Sequence, residues 1–203
     1  MQMGSAVPTA LALLAGALVL ILLVRPEITR HAMGKALTFL AFLPLPFLAT
    51  WMGASTHLEH SKSTRFCVSC HVMEPYGRSL LVDDGDYLVG AHYQNKRVPR
   101  DHACFTCHTS YTMYGDLQAK IRGLRHVWVY LAGSEPEEIE LYEPYQNREC
   151  LHCHGDARSF EESEIHADLL EDLESGETSC LECHAWTHGI DELDELELWE
   201  PAG

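Results

Sequence analysis

Four copies of one five-residue pattern dominate the chemistry available to this 203-residue chain. They are Cys67-Val-Ser-Cys70-His71, Cys104-Phe-Thr-Cys107-His108, Cys150-Leu-His-Cys153-His154 and Cys180-Leu-Glu-Cys183-His184, and together they use all eight cysteines. Cys-x-x-Cys-His is the attachment motif of c-type haem. Two thiols add across the porphyrin vinyl groups, and the histidine that follows reaches the iron as an axial ligand. Zinc ribbons and disulfides also use Cys-x-x-Cys pairs, but neither needs a histidine after the second cysteine. With 13 histidines in 203 residues, four such placements by chance have a probability on the order of 10⁻⁵, so haem is the expected use. The expected cofactor is four covalently bound haem c, with His71, His108, His154 and His184 on the irons.

A low-spin electron-transfer haem needs a second strong axial ligand. Besides the four histidines that end the motifs stand His31, His57, His60, His92, His102, His126, His152, His166 and His188. His31 falls in a short basic loop, His152 lies inside a motif, and His57, His60 and His102 read as surface or interface residues. That leaves His92, His126, His166 and His188 as candidates. Met73, two residues past His71, offers a thioether to the first iron or packs against the porphyrin.

The elements that must position these residues begin with an anchor. Residues 5–24 carry no charge over 20 positions, the length needed to cross a bilayer as a helix. No Lys or Arg precedes this run and no small-x-small site follows it before Arg25, so a cleaved signal peptide fits poorly. A second apolar run, 36–54, contains Pro44 and Pro46, which kink a membrane helix without destroying it. Trp51 lies near its end, where interfacial aromatics collect. Arg25, Arg30 and Lys35 between the runs place that loop in the cytoplasm by the positive-inside rule. The expectation is a transmembrane helix hairpin at 1–55 and a domain on the extracytoplasmic side of the inner membrane. Haem c attachment outside the cytoplasm agrees with that topology.

Charge divides the chain further. The formal net charge is −16, which excludes nucleic-acid binding by phosphate neutralisation. Residues 1–54 and 55–134 each carry a net +2, whereas 135–203 hold 22 carboxylates against Arg148 and Arg158. A partner docking on that last third would be basic; a solvated acidic surface is the plainer alternative. The expected domains are the anchor 1–55, a haem domain 56–190 and an acidic tail 191–203. Fold class is mainly α with much irregular structure, since no segment alternates as a strand and short helices are expected to bracket the motifs, as over 114–132 and 160–174. Motif starts separated by 37, 46 and 30 residues fall into two pairs, pointing to two dihaem halves.

These pieces resemble the NapC/NirT family, including its NrfH-type members. The likeness rests on CVSCHVM after a membrane anchor, His92-Tyr93-Gln94-Asn95 before the second motif, and CLECHAWTH ending in His188. It spans roughly 36–190. The resemblance implies a periplasmic tetrahaem domain that takes electrons from menaquinol or ubiquinol, with the first haem beside the membrane. It implies Met73 as an axial ligand of that haem and His92, His166 and His188 as distal ligands of the others. Two departures stand out. The family commonly has one membrane helix where this chain has two. The stretch Lys120-Ile-Arg-Gly-Leu-Arg-His126 is similar to one bearing a lysine and an acidic residue near the first haem, but carries a histidine near the acidic position.

Quinol gives up two protons with its electrons. Lys120 and His126 are therefore candidate quinol-site groups, with His57, Glu59 and His60 as further acceptors or a headgroup-level belt. Three functions follow. The expected one is a quinol dehydrogenase feeding a periplasmic or membrane redox partner. The alternative is a passive electron-transfer subunit of a complex in which another chain oxidises quinol. A terminal reductase would need an open iron site that this wealth of ligands does not favour.

Overall fold

A computed structural model describes residues 3–133 and 143–200. The chain divides into two compact units, Met1–Lys62 and Ser63–Gly203.

The first unit is helical throughout. α1 (Met3–Val24) is a single apolar helix with Pro8 inside it. A one-turn 3₁₀ segment, Pro26–Arg30, holds Glu27 and Arg30 and leads into α2 (Ala32–Phe42) and α3 (Pro44–His60). Corner formation depends on Gly34, because a Cβ there would stand 1.7 Å from the carbonyl oxygen of Ile28. Pro44 and Pro46 lack the N–H groups that would bond Leu40 and Phe42, so the helix breaks at Leu43. Flanking bonds bridge the break, from the Leu43 amide to the Phe39 carbonyl at 3.0 Å and from Phe47 to Leu43 at 3.1 Å. The spans long and apolar enough to cross a membrane are 6–24 and 32–60. The second reaches several residues past the expected 54 at its C-terminal end.

The second unit consists of short helices around the four motifs. They are α4 (Thr64–Cys67), α5 (Glu74–Ser79), α6 (Leu88–Gln94), α7 (Ala103–Cys107), α8 (Gly115–Leu131), α9 (Asn147–His154), α10 (Arg158–Glu161), α11 (Glu164–Asp168), α12 (Leu170–Ser175) and α13 (Cys180–Cys183). No strand occurs among the described residues. The helix expected over 160–174 is three pieces instead, since Ser163 turns extended and Leu169 leaves helical geometry. α8 matches its periodicity and starts where Gly115 packs tightly, its missing Cβ site 1.4 Å from the Ser110 carbonyl oxygen.

Little apolar surface in this unit is buried by polypeptide alone. The fully buried cluster is Val82, Tyr87 and Leu193, with Val89, Leu196 and Leu198 packed against it. Three of these six lie beyond residue 190, so the segment read as an acidic tail is built into the unit up to Trp199. An isolated antiparallel bridge joins Val82 to Leu198. The Asp83 amide donates to Glu197 at 2.8 Å and Trp199 to Leu81 at 2.6 Å. Arg100 then sits between the rings of Tyr93 and Trp199, at 5.3 and 5.2 Å. Residues 201–203 lie outside the described part.

Candidate functional site

Each motif begins on one helical turn. Cys67 ends α4 with His71 opening a 3₁₀ turn, Cys104 and Cys107 lie in α7, Cys150 to His154 in α9, and Cys180 and Cys183 in α13. Spacing i, i+3 puts both sulfurs of a pair on one face of the turn. No disulfide joins any of the eight cysteines.

Side chains tie the motifs two by two. Thr64 Oγ1 donates to the Arg100 carbonyl at 2.7 Å and accepts from the Ala103 amide at 2.8 Å. Asn147 Nδ2 donates to Leu173 at 2.9 Å and Thr178 at 2.6 Å, while its Oδ1 accepts from the Cys180 amide at 2.9 Å. Thr64 and Asn147 each stand three residues before the first cysteine of their motif, so one device joins motif 1 to motif 2 and motif 3 to motif 4. The sulfurs follow the same pairing. Hydrogen bonding with Cys104 brings the Cys67 thiol down to about 7, against burial and with help from the Lys120 charge. Burial and the neighbouring Cys180 push Cys150 up to about 12. A matched offset before alternate motifs is a signal that sequence reasoning missed.

Three of the motif histidines face a second histidine. Ring centroids lie 5.8 Å apart for His92 and His154, 6.1 Å for His108 and His188, and 6.4 Å for His166 and His184. Two imidazoles bonded to one metal at about 2 Å each have centroids roughly 6 Å apart. All three separations agree with that figure.

The outer nitrogen of each partner ring is held. His92 Nδ1 donates to the Leu88 carbonyl at 2.7 Å, and His166 Nδ1 to Phe160 at 3.3 Å. His188 Nδ1 lies 2.8 Å from Ser79 Oγ, whose own hydroxyl donates to the Tyr76 carbonyl at 2.7 Å. A serine that spends its proton there must accept from His188. Each Nδ1 therefore carries the hydrogen, and Nε2 is left with its lone pair. Burial, then His108, pushes His188 down to about 4, so it is neutral at ordinary pH. The donor set and its tautomers fit iron held between two imidazoles.

The first motif is different. His71 faces the Tyr130 ring at 6.2 Å rather than an imidazole. Met73 shares the His71 turn and is half-buried. Lys120 Nζ stands over the rings of Phe66 and Phe105 at 5.9 and 4.7 Å, beside Cys67. His126, on the same helix, comes within electrostatic range of His108; its own pKa is lowered by burial and then by Arg125. His152 stacks on Tyr111 at 3.8 Å, an arrangement that occupies it elsewhere.

Comparison with known proteins decides what kind of chain this is. The model of the NapC/NirT cytochrome c family, N-terminal region, matches residues 29–190. The chain belongs to the NapC/NirT cytochrome c family. The cytochrome c-type protein NapC of Haemophilus influenzae is 24% identical over 153 residues, covering 68% of this chain and 72% of that one. NapC of Paracoccus pantotrophus is 26% identical over 151 residues, 66% of this chain and 61% of its own. The denitrification system component NirT of Stutzerimonas stutzeri is 26% identical over 151 residues, 68% and 70% of the two chains. No solved structure matches. As a member of this NapC/NirT family the chain is a membrane-anchored multihaem cytochrome of electron transfer, with haem c held covalently.

Proposed function

We propose that the chain is a quinol dehydrogenase of the cytoplasmic membrane, holding four haem c on the periplasmic side and passing electrons to a periplasmic or membrane redox partner. The observation that carries this reading is the contrast between three doubly faced histidine sites and a first site set among Met73, Tyr130 and Lys120. Cys67 and Cys70, Cys104 and Cys107, Cys150 and Cys153, and Cys180 and Cys183 hold the porphyrins. His108 with His188, His154 with His92, and His184 with His166 would supply the ligands of three irons, and Met73 and His71 are the candidates at the first.

Haem c, when bound, supplies a one-electron carrier whose potential follows from its axial ligands and surroundings. The chain's own residues do the rest. The two cysteines of each motif fix the porphyrin edge, and anchored Nδ1 atoms fix the planes of His92, His166 and His188. Quinol must also lose protons. Lys120 and His126 lie on one helix beside the first two motifs, and burial, then Arg125, favours the neutral form of the His126 imidazole. Arg25 and Arg30 between the apolar helices, with Lys35 in the first turns of α2, support a haem unit on the far side from the cytoplasm. Its acidic surface favours a basic partner.

The test is stopped-flow absorbance of the detergent-purified holoprotein mixed with a menaquinol analogue, with and without a quinol-site inhibitor. Fast, inhibitor-sensitive haem reduction is expected. Haems that dithionite reduces but quinol does not would leave the second reading, a passive subunit beside a quinol-oxidising chain. One observation favours that alternative: α1 lies outside the family match at 29–190 and supplies an extra helix for a membrane partner.

A further inference from the structure

Thr64 and Asn147 pin the motifs two by two, and two other side chains join the resulting halves. Tyr145 donates its hydroxyl to the Cys107 carbonyl at 2.5 Å, with its ring edge-on to His108 at 6.4 Å. Glu149 Oε2 accepts from the Tyr111 amide at 2.8 Å. Both contacts run from the residues that lead into the third motif to those that close or follow the second.

Of the two, Glu149 has a chemistry that exceeds the structural need. Among the described residues it is the one charged side chain that is buried. Its side chain is 6% exposed, whereas that of Arg148, which donates to Oε1 at 3.1 Å, is 58% exposed. Burying a carboxylate costs free energy that an ion pair with so exposed a partner does little to offset. A neutral glutamine would accept the same bond from Tyr111 without that cost. The hydrogen bond therefore accounts for an acceptor at position 149 and not for a charge.

The charge reaches further than the bond. Away from water a carboxylate acts on its surroundings at low effective dielectric. Burial raises the Tyr111 and Tyr145 phenols, and the Glu149 charge is among the smaller contributions in each. Glu149 also directly precedes Cys150, the first cysteine of the third motif. A haem iron loses one unit of positive charge on reduction, so a fixed negative charge nearby favours its ferric form.

We infer that Glu149 is a potential-setting residue: its buried charge lowers the midpoint of the haem on Cys150 and Cys153, and so sets the driving force of the electron step between the halves. In that step one electron leaves the ferrous haem on Cys104 and Cys107, which becomes ferric, and reduces the ferric haem on Cys150 and Cys153. Glu149 keeps its charge throughout, and no proton moves there. The inference rests on the haem attachment proposed above and stands whether or not quinol is the donor.

The test is a mediator-based redox titration of the detergent-purified full-length holoprotein, followed by visible absorbance. Wild type, Glu149→Gln and Arg148→Gln are compared, with haem content of each fixed by pyridine haemochrome. Glu149→Gln keeps the acceptor for Tyr111 and removes the charge. One midpoint should rise by about tenfold in its reduction equilibrium, 59 mV for one electron. Arg148→Gln removes the countercharge and should lower the same midpoint, by less, because water and salt screen a guanidinium so exposed. A charge effect gives opposite signs; loosened packing moves both variants the same way or neither. Unchanged midpoints in Glu149→Gln, or shifts of one sign in both variants, overturn the inference. If Glu149→Gln loses haem, Arg148→Gln decides alone, a lowered midpoint sustaining the inference and an unchanged one overturning it. A wild-type chain whose third-motif peptide carries no haem by mass spectrometry would defeat the attachment reading itself, and the inference with it.

Discussion

Three of the four motifs and the remaining one are built on different plans. His108, His154 and His184 each meet an imidazole about one iron's width away, and each partner ring is locked through Nδ1 by Ser79, Leu88 or Phe160. His71 meets a phenol ring, with Lys120 and two phenylalanines nearby. Sites closed on both faces suit a carrier that must not react with small molecules. A site with no second imidazole, beside a cation and on the helix that bears His126, suits exchange of protons along with electrons. Under the proposed function, the difference teaches that one repeated motif would serve two purposes, with its surroundings, not its five residues, dividing the work.

The sharpest way to break this comparison is to remove one closed site. Cys150→Ser with Cys153→Ser should lower haem content from four to three per chain, measured as pyridine haemochrome, and stop inhibitor-sensitive reduction from reaching the partner. His92→Ala should leave haem content intact but turn the iron faced by His154 high-spin, visible by electron paramagnetic resonance. The same change at His126 should leave the three closed sites spectroscopically unaltered. Lys120→Ala and His126→Ala should instead slow quinol-driven reduction by about 10²-fold, the usual worth of a proton acceptor, without changing dithionite-reduced spectra. Equal loss in all these variants would erase the distinction.

Smaller effects separate the two halves and the two kinds of anchoring. Asn147 is buried and makes three hydrogen bonds to its half, where Thr64 makes two. Asn147→Ala should cost about 2–3 kcal/mol in chemical denaturation of the holoprotein, and Thr64→Ala roughly 1 kcal/mol. The smallest change expected is Ser79→Ala. Loss of one hydrogen bond to His188, worth about 1 kcal/mol, corresponds to roughly 40 mV in a one-electron midpoint. Potentiometry should show that shift at the single haem proposed to lie between His108 and His188, with Ser79→Thr restoring it.

Haem attachment, the apolar spans and the mainly helical class were legible in the chain because each depends on neighbours in sequence. Cys-x-x-Cys-His needs one turn of helix, a membrane helix needs a run of apolar residues, and Pro44 breaks its helix wherever it stands. His92, His166 and His188 were legible as candidates, because irons need second ligands. Their pairing was not, since it joins residues 62, 80 and 18 positions apart, and spacing carries no information about which loop closes on which. The same holds for the carboxyl-terminal segment. Its acidic composition read as a solvated tail, yet Leu193, Leu196 and Leu198 form half of the small core by pairing with residues more than a hundred positions earlier. Sequence alone named the candidate binding atoms; only the tertiary fold decided which of them meet, because chain closure brings together residues that local patterning cannot relate.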